Sequence, residues 1–191
     1  MKPTNFVSVK TRGFDIESSY RRQVGPGTMT LRALASYAFE MTSNNGVTAT
    51  TDLAGQNTGG LPDWTYRFTA GYDLDSGFSV QGIARGVSGG VYNNNYVVCS
   101  TDCPLSTADY RTVNMNRIDG QFFYDVNASY AFETGGAKAQ VFLSIRNVLN
   151  SDPVLVANGP TGNNTPAYPQ TNRALYDVLG RVFRMGVRIG L

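Results

Sequence analysis

From Arg117 to Phe132 two sets of residues alternate without a break over the length of a membrane-crossing strand. Ile118, Gly120, Phe122, Tyr124, Val126, Ala128, Tyr130 and Phe132 share one face. Arg117, Asp119, Gln121, Asp125, Asn127 and Ser129 share the other with Phe123. A period of two places these faces on opposite sides of a sheet. The apolar face is rich in rings and the polar face carries charges of both signs. A wall that meets lipid on one side and water on the other fits this better than a soluble core with a dry outside.

Composition narrows the choices. No apolar run approaches the ~18 residues of a spanning helix, so helical membrane spans are excluded. A membrane barrel is not, because alternating faces average out in a hydropathy window. The 12% aromatic content and 21 glycines lean toward one. With 16 basic against 14 acidic residues, the net charge of +2 is too balanced for a nucleic-acid footprint. The lysines are Lys2, Lys10 and Lys138, and every other basic residue is arginine. Arginine suits fixed ion pairs along a lumen because its planar fork holds carboxylates with two bonds. Arginine-biased codon usage accounts for the same count equally well.

Cys99 and Cys103 sit in a polar segment and read as a local disulfide made in an oxidising compartment. A zinc or redox site lacks a second cysteine pair and any histidine. Met1-Lys2-Pro3-Thr4-Asn5 leads straight into strand pattern with no signal peptide, so the chain reads as a fragment of an exported protein.

Seven alternating segments follow one another: Val7 to Arg22, Thr28 to Glu40, Trp64 to Tyr72, Phe78 to Val87, the Arg117 to Phe132 example, Lys138 to Leu149, and Leu175 to Leu191. The connections run short, long, short, long, short, long. The long ones are Thr42 to Pro62, Ser88 to Asn116 and Ser151 to Asn172. Tight periplasmic turns and long outer loops show this asymmetry, and it places the C-terminus in the periplasm. The fold class is therefore all-β, an antiparallel transmembrane β-barrel segment of seven strands with short periplasmic turns and long extracellular loops. Counting back from Leu191 by twos puts Ile189, Val187, Met185 and Phe183 toward lipid and then Arg181. Ten residues at about 3.3 Å, tilted ~40°, rise ~25 Å, which brings Arg181 to the outer rim, where a charge is tolerated. Seven strands left open would expose two unpaired edges to lipid, so the chain belongs to something larger.

Four segments resemble the C-terminal end of TonB-dependent outer-membrane receptors. They are Gly13-Phe14-Asp15-Ile16-Glu17-Ser18-Ser19-Tyr20-Arg21, Val87-Ser88-Gly89-Gly90-Val91-Tyr92, Ile145 through Pro153, and Leu175 through Arg188. The resemblance covers nearly the whole chain in family order. It implies the last seven strands of a 22-stranded, plugged barrel in the bacterial outer membrane. The implied partners are outer-membrane lipid, the remaining barrel strands, a plug domain, TonB through an absent N-terminal part, and a scarce nutrient such as a siderophore-iron complex, cobalamin or carbohydrate. No cofactor is implied. The chain departs from the family in having Leu191 where an aromatic is usual.

Candidate ligand-binding residues lie in the long loops: Asp52, Gln56 and Asn57; Tyr92, Asn93, Asn94 and Tyr96; Asn164 and Tyr168. Rings stack on apolar patches while amides satisfy hydroxyls, although the same residues are ordinary loop composition. Arg32, Arg67, Arg85, Asp119, Asp125, Arg146, Arg184 and Arg188 are expected to line the lumen, steering an anionic ligand or pairing with one another or with a plug. Asp119 and Asp125 are no catalytic pair, since six residues of strand separate them by ~20 Å. Gly86-Val87-Ser88-Gly89-Gly90 lacks the Lys-Ser/Thr and helix of a phosphate loop. No active site emerges and the chain is read as a non-enzyme. The competing reading is a soluble all-β carbohydrate-binding module.

Overall fold

The computed structural model describes residues 8–44, 50–156 and 170–190. Seven long strands form one antiparallel meander: β1 (Ser8–Val24), β2 (Gly27–Asn44), β3 (Trp64–Leu74), β4 (Phe78–Val87), β5 (Gln121–Thr134), β6 (Ala137–Arg146) and β7 (Val182–Gly190). Each strand pairs only with its sequence neighbours among these seven, so β1 and β7 are the sheet edges. There is no helix among the described residues.

Local chemistry closes the short connections. Gly25 takes φ +57°, the left-handed value that a primed two-residue turn requires at its first central position, and Pro26 supplies the fixed φ near about −65° after it. Between β5 and β6, Gly135 and Gly136 both have positive φ, 58° and 85°, as a type I′ hairpin demands. All short turns gather at one end of the sheet, and Gly190 pairs with Lys138 there, so β7 also finishes at that end.

The register carries the two faces across the whole sheet. Tyr20 pairs with Leu31, Leu31 with Ala70, Ala70 with Gly82, Gly82 with Val126, Val126 with Ile145 and Ile145 with Phe183. That entire row is apolar and points outward. No protein covers it: Phe183 is 59% exposed and Tyr20 48%. Rings bound it at both ends. Near the long loops Trp64 lies 5.7 Å from Phe14 and 4.7 Å from Tyr37, and Tyr66 stacks 5.6 Å from Phe122. Near the short turns Tyr130 and Phe132 stack at 5.8 Å, with Phe78 paired to Tyr130. Two aromatic belts around an alanine-, glycine- and valine-rich band are the outer surface of a membrane barrel.

Three sequence expectations change. The Arg117 to Phe132 ribbon is not continuous, since β5 begins at Gln121 and Arg117–Ile118 pairs separately with Gly90–Val91. The break follows from a close backbone crossing, where a Cβ on Gly120 would lie 2.6 Å from both the Gly89 nitrogen and the Val87 oxygen. Ile118 consequently turns away from lipid and is buried, and Asp119 leaves the lumen wall for the loop. The last strand starts at Val182 rather than Leu175, because Leu175 and Tyr176 pack into the loops. Arg181 stays outside the strand at the long-loop end, its amide donating to Asn150 Oδ1 at 2.9 Å. Finally, Phe123 on the nominally wet face is 1% exposed and belongs to the core.

Candidate functional site

The described parts of the long loops do not stand clear of the sheet. They close over its inner wall around a small apolar core of Ile118, Phe123, Val156, Tyr176 and Val87, with Tyr92, Val154 and Leu175 against it. Asn57, fully buried, is the knot. Its amide N–H donates to the Val91 carbonyl (3.1 Å) and its Nδ2 to the Ser88 carbonyl (2.9 Å) and the Tyr176 hydroxyl (3.4 Å). Its own carbonyl accepts from Asn172 Nδ2 (2.9 Å). The Tyr176 hydroxyl then donates to the Asp119 carbonyl at 3.0 Å. Three segments distant in sequence are joined at one residue, and burial holds the Tyr176 phenol above its ordinary pKa, with the nearby Asp119 charge adding to this.

The other sequence-selected loop residues serve the same framework. Asp52 Oδ1 accepts from the amides of Met41 (2.9 Å) and Ala54 (3.0 Å), while Gln56 Nε2 donates to the Asp52 carbonyl (2.9 Å). Asn94 Nδ2 reaches from the second loop to the carbonyls of Asp52 and Ala54, 2.8 Å each. Asn93 exchanges two hydrogen bonds with the Asn116 side chain, and the Tyr96 amide donates to the Asn93 carbonyl at 3.2 Å. The Tyr92 carbonyl accepts from Thr58 Oγ1 at 2.9 Å. Asn164 and Tyr168 lie outside the described residues. At the foot of the first loop, burial and the charge of Asp52 push the Asp63 carboxyl above its usual range.

Beneath this cap the inner wall carries a charge network. Arg85 Nε donates to Asp125 Oδ2 (2.9 Å), and its terminal nitrogens grip both oxygens of Asp177, which descends from the last loop. Arg146 holds the same carboxylate through Nη2 (2.6 Å) and Nε (3.2 Å). Phe123 supports the arrangement, the Arg85 guanidinium lying 5.3 Å from its ring centre. Asp125 also accepts from the Asn147 amide at 2.9 Å. Burial works to raise the Asp177 pKa, but hydrogen bonds from Arg85 and Arg146 outweigh it and hold the carboxyl below its usual range.

The remaining lumen candidates are more open. Arg32 pairs with Glu17 at 2.7 Å. Arg67 faces Arg85 directly across β3 and β4, with no carboxylate of its own among the described residues. Arg188 donates to Gln140 Oε1 (3.3 Å) and lies 5.1 Å from the Phe142 ring centre. Arg184 shares with it a polar groove of about 480 Å³ on the inner face. Asp119 pairs instead with the exposed Arg117 at 3.1 Å. Cys99 and Cys103 are bonded to each other, Cα atoms 5.6 Å apart, in a finger pinned by the parallel pairing of Val97–Val98 with Thr112–Val113.

Sequence reading missed Asn147, Asn172, Tyr176 and Asp177. Its alternation template absorbed Tyr176 and Asp177 into a strand. The signal that could have separated them is Gly180, whose φ of +66° ends the loop just before β7.

A family model described as "TonB dependent receptor-like, beta-barrel" matches residues 2–148, more than half of the chain. No curated protein and no solved structure matches it. The family is one of outer-membrane receptors and transporters of Gram-negative bacteria, and it is not an enzyme family. An apolar outer face between aromatic belts, a charged inner wall and a cap of interlocked loops at one end are the parts of such a receptor, and the chain belongs to the TonB-dependent receptor β-barrel family.

Proposed function

We propose that β1 to β7 are the C-terminal strands of a plugged outer-membrane barrel that imports a scarce nutrient with energy passed through TonB. The nutrient is a siderophore-iron complex, cobalamin or a carbohydrate, met at the outer face by the interlocked loops. The observation that carries this reading is the register, which keeps one face apolar across all seven strands while leaving the β1 and β7 edges open. A soluble binding module would bury that face; here Phe183, Met185, Val187 and Ile189 have no protein cover. In this reading the buried Gln56 and Asn57, with the half-buried Asp52 and Asn93, hold the loops in shape. The ligand then meets the exposed Asn94 and the half-buried Tyr92 and Tyr96 beside it, with Asn164 and Tyr168 from the third loop.

Disrupting the gene in its host and following uptake of labelled ferric siderophore, cobalamin and maltodextrin tests the proposal. One of the three uptake rates is expected to fall to background, and to fall equally when an uncoupler collapses the proton-motive force. Unchanged uptake of all three, or recovery of the protein from the aqueous fraction without detergent, would overturn it.

A further inference from the structure

Over the middle of the sheet a hollow of about 540 Å³ opens on the outward face. Two adjacent rows of the register make it. Ala33, Phe68, Ala84 and Tyr124 lie across from one another in the first, and Leu31, Ala70, Gly82 and Val126 in the second. Leu31, Phe68 and Tyr124 stand as walls, and Ala70, Gly82 and Ala84 are the floor. The floor is bare because of what lies opposite its glycine. Nearer the loops, Gly86 pairs with Phe122, whose ring folds over it so closely that a Cβ there would lie 2.7 Å from the ring. Gly82 pairs with Val126, a short branched side chain that does not reach across, and a Cβ on Gly82 would meet no atom within 4 Å. This hollow does not arise from the open edges. Each of β2, β3, β4 and β5 is paired on both sides, and strands added beyond β1 and β7 would widen the wall without crossing its outward face.

The depth of the hollow decides its occupant. It lies between the two aromatic belts and is continuous with the band that meets hydrocarbon, so whatever fills it is apolar and comes from the bilayer. Left empty, its walls would forfeit the dispersion contacts that a close-packed surface keeps. A methylene chain is narrow and flexible enough to follow an irregular floor of alanine and glycine between two rings. We propose that Ala70, Gly82 and Ala84 floor a seat for one acyl chain of a membrane lipid, held between Phe68 and Tyr124. The seated lipid then travels with the receptor instead of exchanging freely with the bilayer around it. The inference rests on this wall facing the bilayer and is independent of which nutrient is carried.

The test embeds the complete native receptor in nanodiscs of dioleoylphosphatidylcholine and counts the lipids that stay on the intact protein when it is released in a mass spectrometer. At matched activation energy the native monomer is expected to keep one phosphatidylcholine more than Gly82→Leu, whose side chain fills the floor. That variant has open space above it and a backbone outside the left-handed region, so it inserts as the native receptor does. Val141→Leu, on the outward face but away from the hollow, keeps the native count. Ala84→Leu gives the same loss by a second route and replaces Gly82→Leu should that variant insert poorly. Equal lipid counts in the native receptor and in whichever of these two variants inserts overturn the proposal. A native dimer that Gly82→Leu or Ala84→Leu returns to monomers, with no change in bound lipid, overturns it too by making a second copy the occupant. Bound lipid is counted without transport, so failure of the uptake experiment and failure of this one are separately visible.

Discussion

Asp177 concentrates the chemistry of the site at a single residue. Among the described residues it is the carboxylate that reaches from the last loop to the inner wall, and two arginines share it. Replacing it by Asn leaves Arg146 unpaired and Arg85 with only Asp125. Because the site keeps some access to water, the expected cost is about 1–3 kcal/mol of loop docking rather than the larger penalty of a fully buried pair. A depressed folded pKa means that the stabilisation is complete above the ordinary carboxylate pKa and is lost as pH falls through the lower folded value. A spin label at the exposed Val178 should therefore report an immobile loop from neutral pH down to the ordinary carboxylate range, and a mobile one only below about pH 4. In Asp177→Asn the label should be mobile throughout. Loosening of the native loop already at pH 6 would remove Asp177 as the latch.

At the scale of the strand, the decisive property is which neighbour lies across the ladder. Val126 sits between Gly82 and Ile145 on the outward face, midway between the two aromatic belts, while Asn127 sits between Gln81 and Ser144 on the inward face. These neighbours in sequence should respond oppositely to the same change. Val126→Arg is expected to cost about 2–4 kcal/mol in a bilayer, because the charge meets hydrocarbon at mid-depth. Asn127→Arg gives up the Ser144 and Gln81 hydrogen bonds and is expected to cost about 1 kcal/mol. Urea unfolding of the receptor in lipid vesicles, followed by heat-modifiable migration, measures both. Equal costs would mean that the two faces do not meet different solvents.

At the scale of the molecule, an unfinished sheet sets the behaviour. Every backbone group of a spanning structure must be paired within it, and β1 and β7 each offer one edge that no described strand covers. The 191 residues refolded alone in micelles are therefore expected to give aggregates or paired sheets. The barrel completed by strands on both edges should give a heat-modifiable monomer. A stable monomer from these residues alone would contradict the open-edge reading. The loops follow another rule. With Asn57, Asn172 and Tyr176 bonded to one another's segments, they act as one plate, and a break at any of the three loosens the whole cap.

The strand set, the two faces and the end at which the chain finishes were legible in the residues, because a period of two is a local property. Leu31 and Arg32 announce opposite solvents whatever lies beside them. The disposition of the loops was not legible. Asn57 and Asn172 look like ordinary loop residues, and Tyr176 like part of a strand, until the sheet brings three distant segments to one end, and an amide side chain gives no sequence signal of which carbonyl it will reach. Local alternation misled where tertiary packing overrode it, turning Ile118 inward and taking Tyr176 and Asp177 out of the last strand. Strand pattern is written by solvent on either side of a single ribbon. The cap and its Arg85, Asp125, Asp177 and Arg146 network exist only once the ribbons are side by side.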